Sequence, residues 1–128
     1  MYINFTKQNE RCALDFYHNA DRHQLQKYAW GTTIILSGGS GYVVKEYFIV
    51  PGGEIAPHCH MESTEHWTIL EGAAVLTLDN HKIYMTNGET QVIRLGEYHA
   101  MKNVSRYPMH GFMVQCGSNL SIEDVYIK

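Results

Sequence analysis

Three imidazoles and a carboxylate stand at spacings that suit a single divalent metal ion. His58, His60 and Glu65 lie in Gly52-x5-His58-x-His60-x4-Glu65-x6-Gly72, and His99 lies in Gly88-x7-Gly96-x2-His99-x3-Asn103. Mixed imidazole and carboxylate donors suit Zn, Mn, Fe, Co or Ni, so the donor set does not choose the metal. Four protein ligands would leave a six-coordinate ion with open positions, and such an ion can polarise a carbonyl or stabilise an oxyanion. A four-coordinate ion would keep none.

The elements that must position these groups are strands. Residues i and i+2 of a strand share a face, so His58 and His60 can reach one ion together. A turn at Met61–Thr64 lets the next strand return beside the first with Glu65 at its start. His99 has to come from a distant strand, just after a tight turn at Gly96. Gly72 and Gly96 suit backbone positions with positive φ. His-x-His alone is a common surface pattern, and it is the second half of the spacing that makes it a site. His66 adjoins Glu65 and points to the opposite face, and Glu62 lies in the turn, so both rank below Glu65 as ligands. Cys59, between the two histidines, is expected to face away from the ion as small buried filler, as is Cys116.

The rest of the chain punctuates itself at strand spacing. Thr32–Leu36, Tyr42–Val50, Glu65–Leu70, Ala74–Leu78, Lys82–Met85, Thr90–Leu95 and Met109–Cys116 are apolar or β-branched runs closed by Gly, Pro, Asn or Asp. Asp79-Asn80-His81 reads as a hairpin turn. Many short strands with no long helical period predict an all-β single domain, and a double-sheet jelly roll suits the size. The more polar segment 1–29 reads as an N-terminal extension, with Asp21–Lys27 either a short helix or a loop, and 30–128 as the barrel.

Composition bounds the partners. The 128 residues carry 45% hydrophobic and 18% charged side chains, which is globular, and a formal net charge of −3. No basic field exists to gather nucleic acid or anionic lipid. The apolar runs fall well short of the ~20 residues of a membrane helix. The N-terminus has no signal pattern, and three cysteines (Cys12, Cys59, Cys116) without paired spacing fit a reducing cytoplasm.

The two metal-ligand segments resemble the two signature motifs of the cupin superfamily, with Arg94 where proline is usual. A narrower resemblance covers most of 28–125. Tyr28-Ala29-Trp30-Gly31, Gly41-Tyr42-Val43-Val44-Lys45, Glu65-His66-Trp67, Val114-Gln115-Cys116-Gly117 and Ile122-Glu123-Asp124-Val125 are similar to segments of the cupin domain in type II mannose-6-phosphate isomerases. In those enzymes it is often fused to a mannose-1-phosphate guanylyltransferase. Ala29 replaces a proline, and Glu46 stands where that family often has arginine.

The resemblance implies a jelly-roll (double-stranded β-helix) barrel with one divalent metal inside and aldose–ketose isomerisation of a sugar or sugar phosphate. Lys45, which matches the family motif, and Arg94 are the candidates to hold a phosphate or carboxylate, with Lys102 and Arg106 behind them. Tyr84, Tyr98 and His110 are further acid–base candidates, each read first as a core or rim residue. Trp67 shares the inward face of Glu65 and reads as core first, or else as a wall for a sugar ring. Two other classes stay open: a non-haem metal oxygenase, and a barrel that binds a sugar or small acid without turnover. A homodimer is expected, with segment 1–29 available to cover a sheet edge.

Overall fold

The computed structural model describes residues 25–127. Eleven strands are present among them: β1 (Leu25–Tyr28), β2 (Gly31–Gly38), β3 (Tyr42–Ile49), β4 (Glu54–Cys59), β5 (Ser63–Glu71), β6 (Ala74–Leu78), β7 (His81–Met85), β8 (Thr90–Ile93), β9 (His99–Asn103), β10 (Met109–Gly117) and β11 (Tyr126–Ile127), with a 3-10 turn at Ile122–Asp124. They form a six-stranded sheet in the order β1-β2-β3-β10-β5-β8 and a five-stranded sheet in the order β11-β4-β9-β6-β7. All pairings are antiparallel. No helix among the described residues is long and apolar enough to cross a membrane.

Alternation along the strands builds the core. On β3 Tyr47 and Ile49 turn inward, on β5 Trp67 and Ile69, and on β10 Met109 and Met113. They meet Ala74, Leu76 and Leu78 of β6, Met85 of β7 and Met101 of β9 from the other sheet. This is the all-β, two-sheet barrel expected from the strand pattern. Two differences concern the N-terminal side. The expected boundary at residue 30 falls inside the β1–β2 turn, because Leu25–Tyr28 pairs with Gly31–Ile34. Of the segment 21–27, left between helix and loop by the sequence, Leu25, Gln26 and Lys27 are therefore in a strand. Residues 1–24, and Cys12 with them, lie outside the described residues.

Gly31 shows why the Trp30-Gly31 corner has its sequence. Its φ is 152°, and a Cβ there would lie 1.9 Å from the Phe48 carbonyl oxygen. Gly31→Ala is expected to cost about 2–5 kcal/mol, from a strained φ and a backbone clash together. Urea denaturation checks this, and a midpoint equal to the parent's would mean the β1–β2 corner relaxes freely.

Candidate metal centre

The chain passes from one sheet to the other at Met61 and Glu62, between β4 and β5. His58 on β4 lies opposite His99 on β9 in the five-stranded sheet. Glu65 on β5 faces them from the six-stranded sheet, where its neighbours are Gln115 on β10 and Ile93 on β8. His60 falls one residue past the end of β4, yet it lines the same cavity as His58. One ligand atom from each of His58, His60, Glu65 and His99 can be chosen so that all lie within 4.8 Å of one another. The expected set of four is thus brought together by both sheets.

Backbone bonds hold the two motif segments in register. The Gly96 N–H donates to the His60 carbonyl at 2.8 Å, which ties one segment to the other. Asp79, at the β6–β7 turn, grips Tyr98 from both sides: its carboxylate accepts the Tyr98 N–H and its own N–H donates to the Tyr98 carbonyl. His99 follows directly. Gly72 and Gly96 have φ of 107° and 76°, as their turns require.

The imidazoles are oriented for a cation. Each Nδ1 meets a backbone carbonyl: His58 at Ala56 (2.8 Å), His60 at Asp124 (3.2 Å) and His99 at Glu97 (3.0 Å). A carbonyl only accepts, so each Nδ1 carries a proton, and in the neutral ring the free lone pair is on Nε2. The Nε2 atoms of His60 and His99 lie 2.8 and 3.2 Å from Glu65 Oε2. The His99 Nε2 is buried, and its contact with Glu65 is an ion pair rather than a well-aligned hydrogen bond. Ring nitrogens this close to a carboxylate need a positive charge, either a proton on the ring or a bound cation, and the set of three imidazoles and a carboxylate fits a divalent metal.

Titration follows the same geometry. Burial alone would raise the Glu65 carboxyl, but the close imidazoles of His60 and His99, and their charge, outweigh it and hold the group well below the carboxylate range. Burial would lower His99, and Glu65 overrides it and raises the imidazole. His58 has no carboxylate contact of this kind, and burial lowers it. The other oxygen, Glu65 Oε1, accepts the Trp67 indole N–H at 2.6 Å. Trp67 is core, as the alternation implied, and it also fixes the carboxylate.

The four groups line a cavity of about 410 Å³ that is large enough for a monosaccharide. Lys45 is the one lysine or arginine among the described residues that line it. Burial lowers its pKa, with Glu65 pulling the other way. Arg94 is not brought there. β8 ends at Ile93, the Arg94 backbone closes a turn with Glu97, and the side chain is exposed. Lys102, Arg106 and Tyr84 are exposed too, and Tyr98 does not line the cavity. His110 bonds Glu46 and stacks on Phe48, on the face of the sheet opposite Tyr47. Of the competing ligands, His66 is exposed, while the Glu62 carboxylate takes the Asn119 amide. Cys59 is buried, without lining the cavity.

Two features lay beyond sequence reasoning. Tyr28, Trp30, Tyr47 and Trp67 form a continuous run of ring contacts from the cavity wall into the core, with centroids 4.7, 6.0 and 4.5 Å apart. Asp124 binds the loop after His60 from the far end of the chain. The Glu-Asp pair at 123–124 was visible in the resemblance, but nothing in its spacing pointed to His60.

A family model described as "Mannose-6-phosphate isomerase C-terminal" matches residues 16–127. The chain is 27% identical over 123 residues to a mannose-1-phosphate guanylyltransferase of Klebsiella pneumoniae, covering 96% of this chain and 25% of that protein. It spans about a quarter of the length of the curated relatives it matches first. Among solved structures it resembles one from Silicibacter pomeroyi described as a sugar phosphate isomerase from a cupin superfamily, with a TM-score of 0.67 and 23% identity over 78% of this chain and 73% of that one. A Klebsiella pneumoniae protein with a double-stranded β-helix domain superposes with a TM-score of 0.68 and 21% identity, over 77% and 88% of the two chains. The facing sheets are therefore a cupin barrel, and by a match that runs from before β1 to the end of β11 the chain belongs to the mannose-6-phosphate isomerase C-terminal family.

Proposed function

We propose that this chain is a metal-dependent aldose–ketose isomerase acting on a sugar or sugar phosphate. The observation that carries the reading is the convergence of three tautomer-fixed imidazoles and Glu65 on one sugar-sized cavity that also holds Lys45. The family description and the neighbour described as a sugar phosphate isomerase support it.

His58, His60, Glu65 and His99 would hold the ion, which would supply positive charge to the oxyanion that builds up when a proton leaves the carbon beside a carbonyl. Trp30, stacked on Tyr28, offers a flat apolar wall to a sugar ring. Gln26, Thr33 and Gln115 offer hydrogen-bonding groups to hydroxyls. Lys45 supplies the charge that anchors a phosphate or carboxylate.

Elemental analysis of protein purified without added metal comes first, followed by assays of metal-replete protein with mannose 6-phosphate and with mannose. About one metal ion per chain and ketose formation support the reading. Bound metal without isomerisation of either sugar removes it, and oxygen consumption by the ferrous protein would put an oxygenase in its place. Lys45→Met is expected to raise KM for mannose 6-phosphate roughly 10–100-fold, the worth of one charged hydrogen bond, and to leave mannose unaffected. Equal effects on both sugars would remove Lys45 from phosphate recognition.

A further inference from the structure

Asp124 is a buried acid whose three functions converge on one loop. Only 2% of its surface is exposed. Its Oδ1 accepts the Met61 N–H at 3.1 Å and its Oδ2 accepts the Glu62 N–H at 2.9 Å. Its main-chain carbonyl accepts the His60 Nδ1–H at 3.2 Å. A buried carboxylate has to be compensated, and here the compensation is the backbone of the very turn that carries the chain from His60 to Glu65. The same residue therefore sets the ring of one ligand and the peptides that lead to the next.

The surrounding segment reinforces this. The Asp124 N–H donates to the Ser121 carbonyl, which closes the 3-10 turn. The Ser118 N–H donates to the Glu62 carbonyl. β11 then pairs with β4 at Cys59 and His58. Leu120, Ser121, Val125 and Ile127 form part of the cavity wall. The last strand and the loop before it are thus laid across the first metal-binding segment.

We propose that Asp124 is the positioning residue of the metal centre, and that the C-terminal segment sets metal affinity by holding His60 with its Nε2 facing Glu65. The proposal rests on reading His58, His60, Glu65 and His99 as metal ligands. A hydrogen-bond partner that fixes a ligand histidine typically accounts for 10–100-fold in metal affinity. Asp124→Ala keeps the backbone carbonyl but releases the turn that keeps it under His60.

The test is cobalt(II) binding to the full chain, read by chelator competition and by the visible absorption of the bound ion. Asp124→Ala is expected to bind on the order of 10–100-fold more weakly with an altered spectrum. Asp124→Asn, which keeps one acceptor oxygen, falls between it and the parent. Glu123→Ala, at an exposed neighbour, behaves as the parent. A lower melting temperature in the metal-free variants, with parent affinity and spectrum in the folded protein, would make Asp124 merely structural and overturn the proposal. Should Asp124→Ala not fold, Asp124→Asn decides alone: parent affinity and spectrum overturn it, weaker binding with a changed spectrum supports it. A parent that takes up no cobalt overturns the metal centre itself, whereas a parent that binds while both Asp124 variants match it overturns only the role of Asp124.

Discussion

Alanine at both His60 and His99 is expected to abolish metal uptake and, in metal-free protein at neutral pH, to cost about 3–5 kcal/mol of folding stability. The cost arises because Glu65 is 3% exposed and its charge is compensated mainly by those two imidazoles. Breaking a buried pair from one side leaves the other charge stranded. The pH dependence then changes sign. In the parent the Glu65 carboxyl titrates below its ordinary value, so its contribution is full above that value and is lost as pH falls through the folded one. In the double variant burial is left as the dominant influence, and burial raises the carboxyl. The folded variant then prefers the protonated acid, its stability is highest below the ordinary carboxylate value, and it falls as pH rises through the new one. Denaturant midpoints of the metal-free proteins across the acid range, with metal uptake measured at neutral pH, check both parts. Parent-like acid sensitivity in the double variant would mean the imidazoles are not what keeps Glu65 charged.

Trp67→Ala is expected to lower stability by about 3–5 kcal/mol, the usual result of removing a buried indole. Trp67 packs in the centre of the core against Tyr47 and is 3% exposed. Trp67→Phe separates packing from hydrogen bonding. It retains much of the ring but takes the indole N–H from Glu65 Oε1, and should cost about 1.5–3 kcal/mol as a lost bond to a charged acceptor. It should also weaken metal binding, since the carboxylate loses one of its restraints. Denaturation and cobalt titration of the two variants report these effects separately. A Phe variant equal to the parent in both would leave Trp67 as packing alone.

Much of this was legible because strands write their geometry with period two. Glu65, Trp67 and Ile69 alternate with His66 and Thr68, so the inward set of β5 could be read directly, and Lys45 shares a face with Tyr47 and Ile49 on β3 in the same way. Glu46, beside Lys45, falls on the other face, where it meets His110. Alternation stops where strands stop. Arg94 stands one residue past β8, so its direction is set by the turn with Glu97 and not by register. The strand β1 was illegible for a different reason: Leu-Gln-Lys-Tyr is too polar and too short to announce a strand, and it is held by pairing with β2. Asp124 was hidden by distance along the chain, since no local pattern connects it with the loop at Met61.

The ring contacts that run from Tyr28 to Trp67 also settle where this protein's light comes from. The chain has two tryptophans, and both Trp30 and Trp67 line the cavity. One stands at the wall against Tyr28, and the other has its N–H on the carboxylate that faces the three histidines. Indole emission in this molecule originates at the site and nowhere else, so the protein carries its own label at the place where a ligand would arrive.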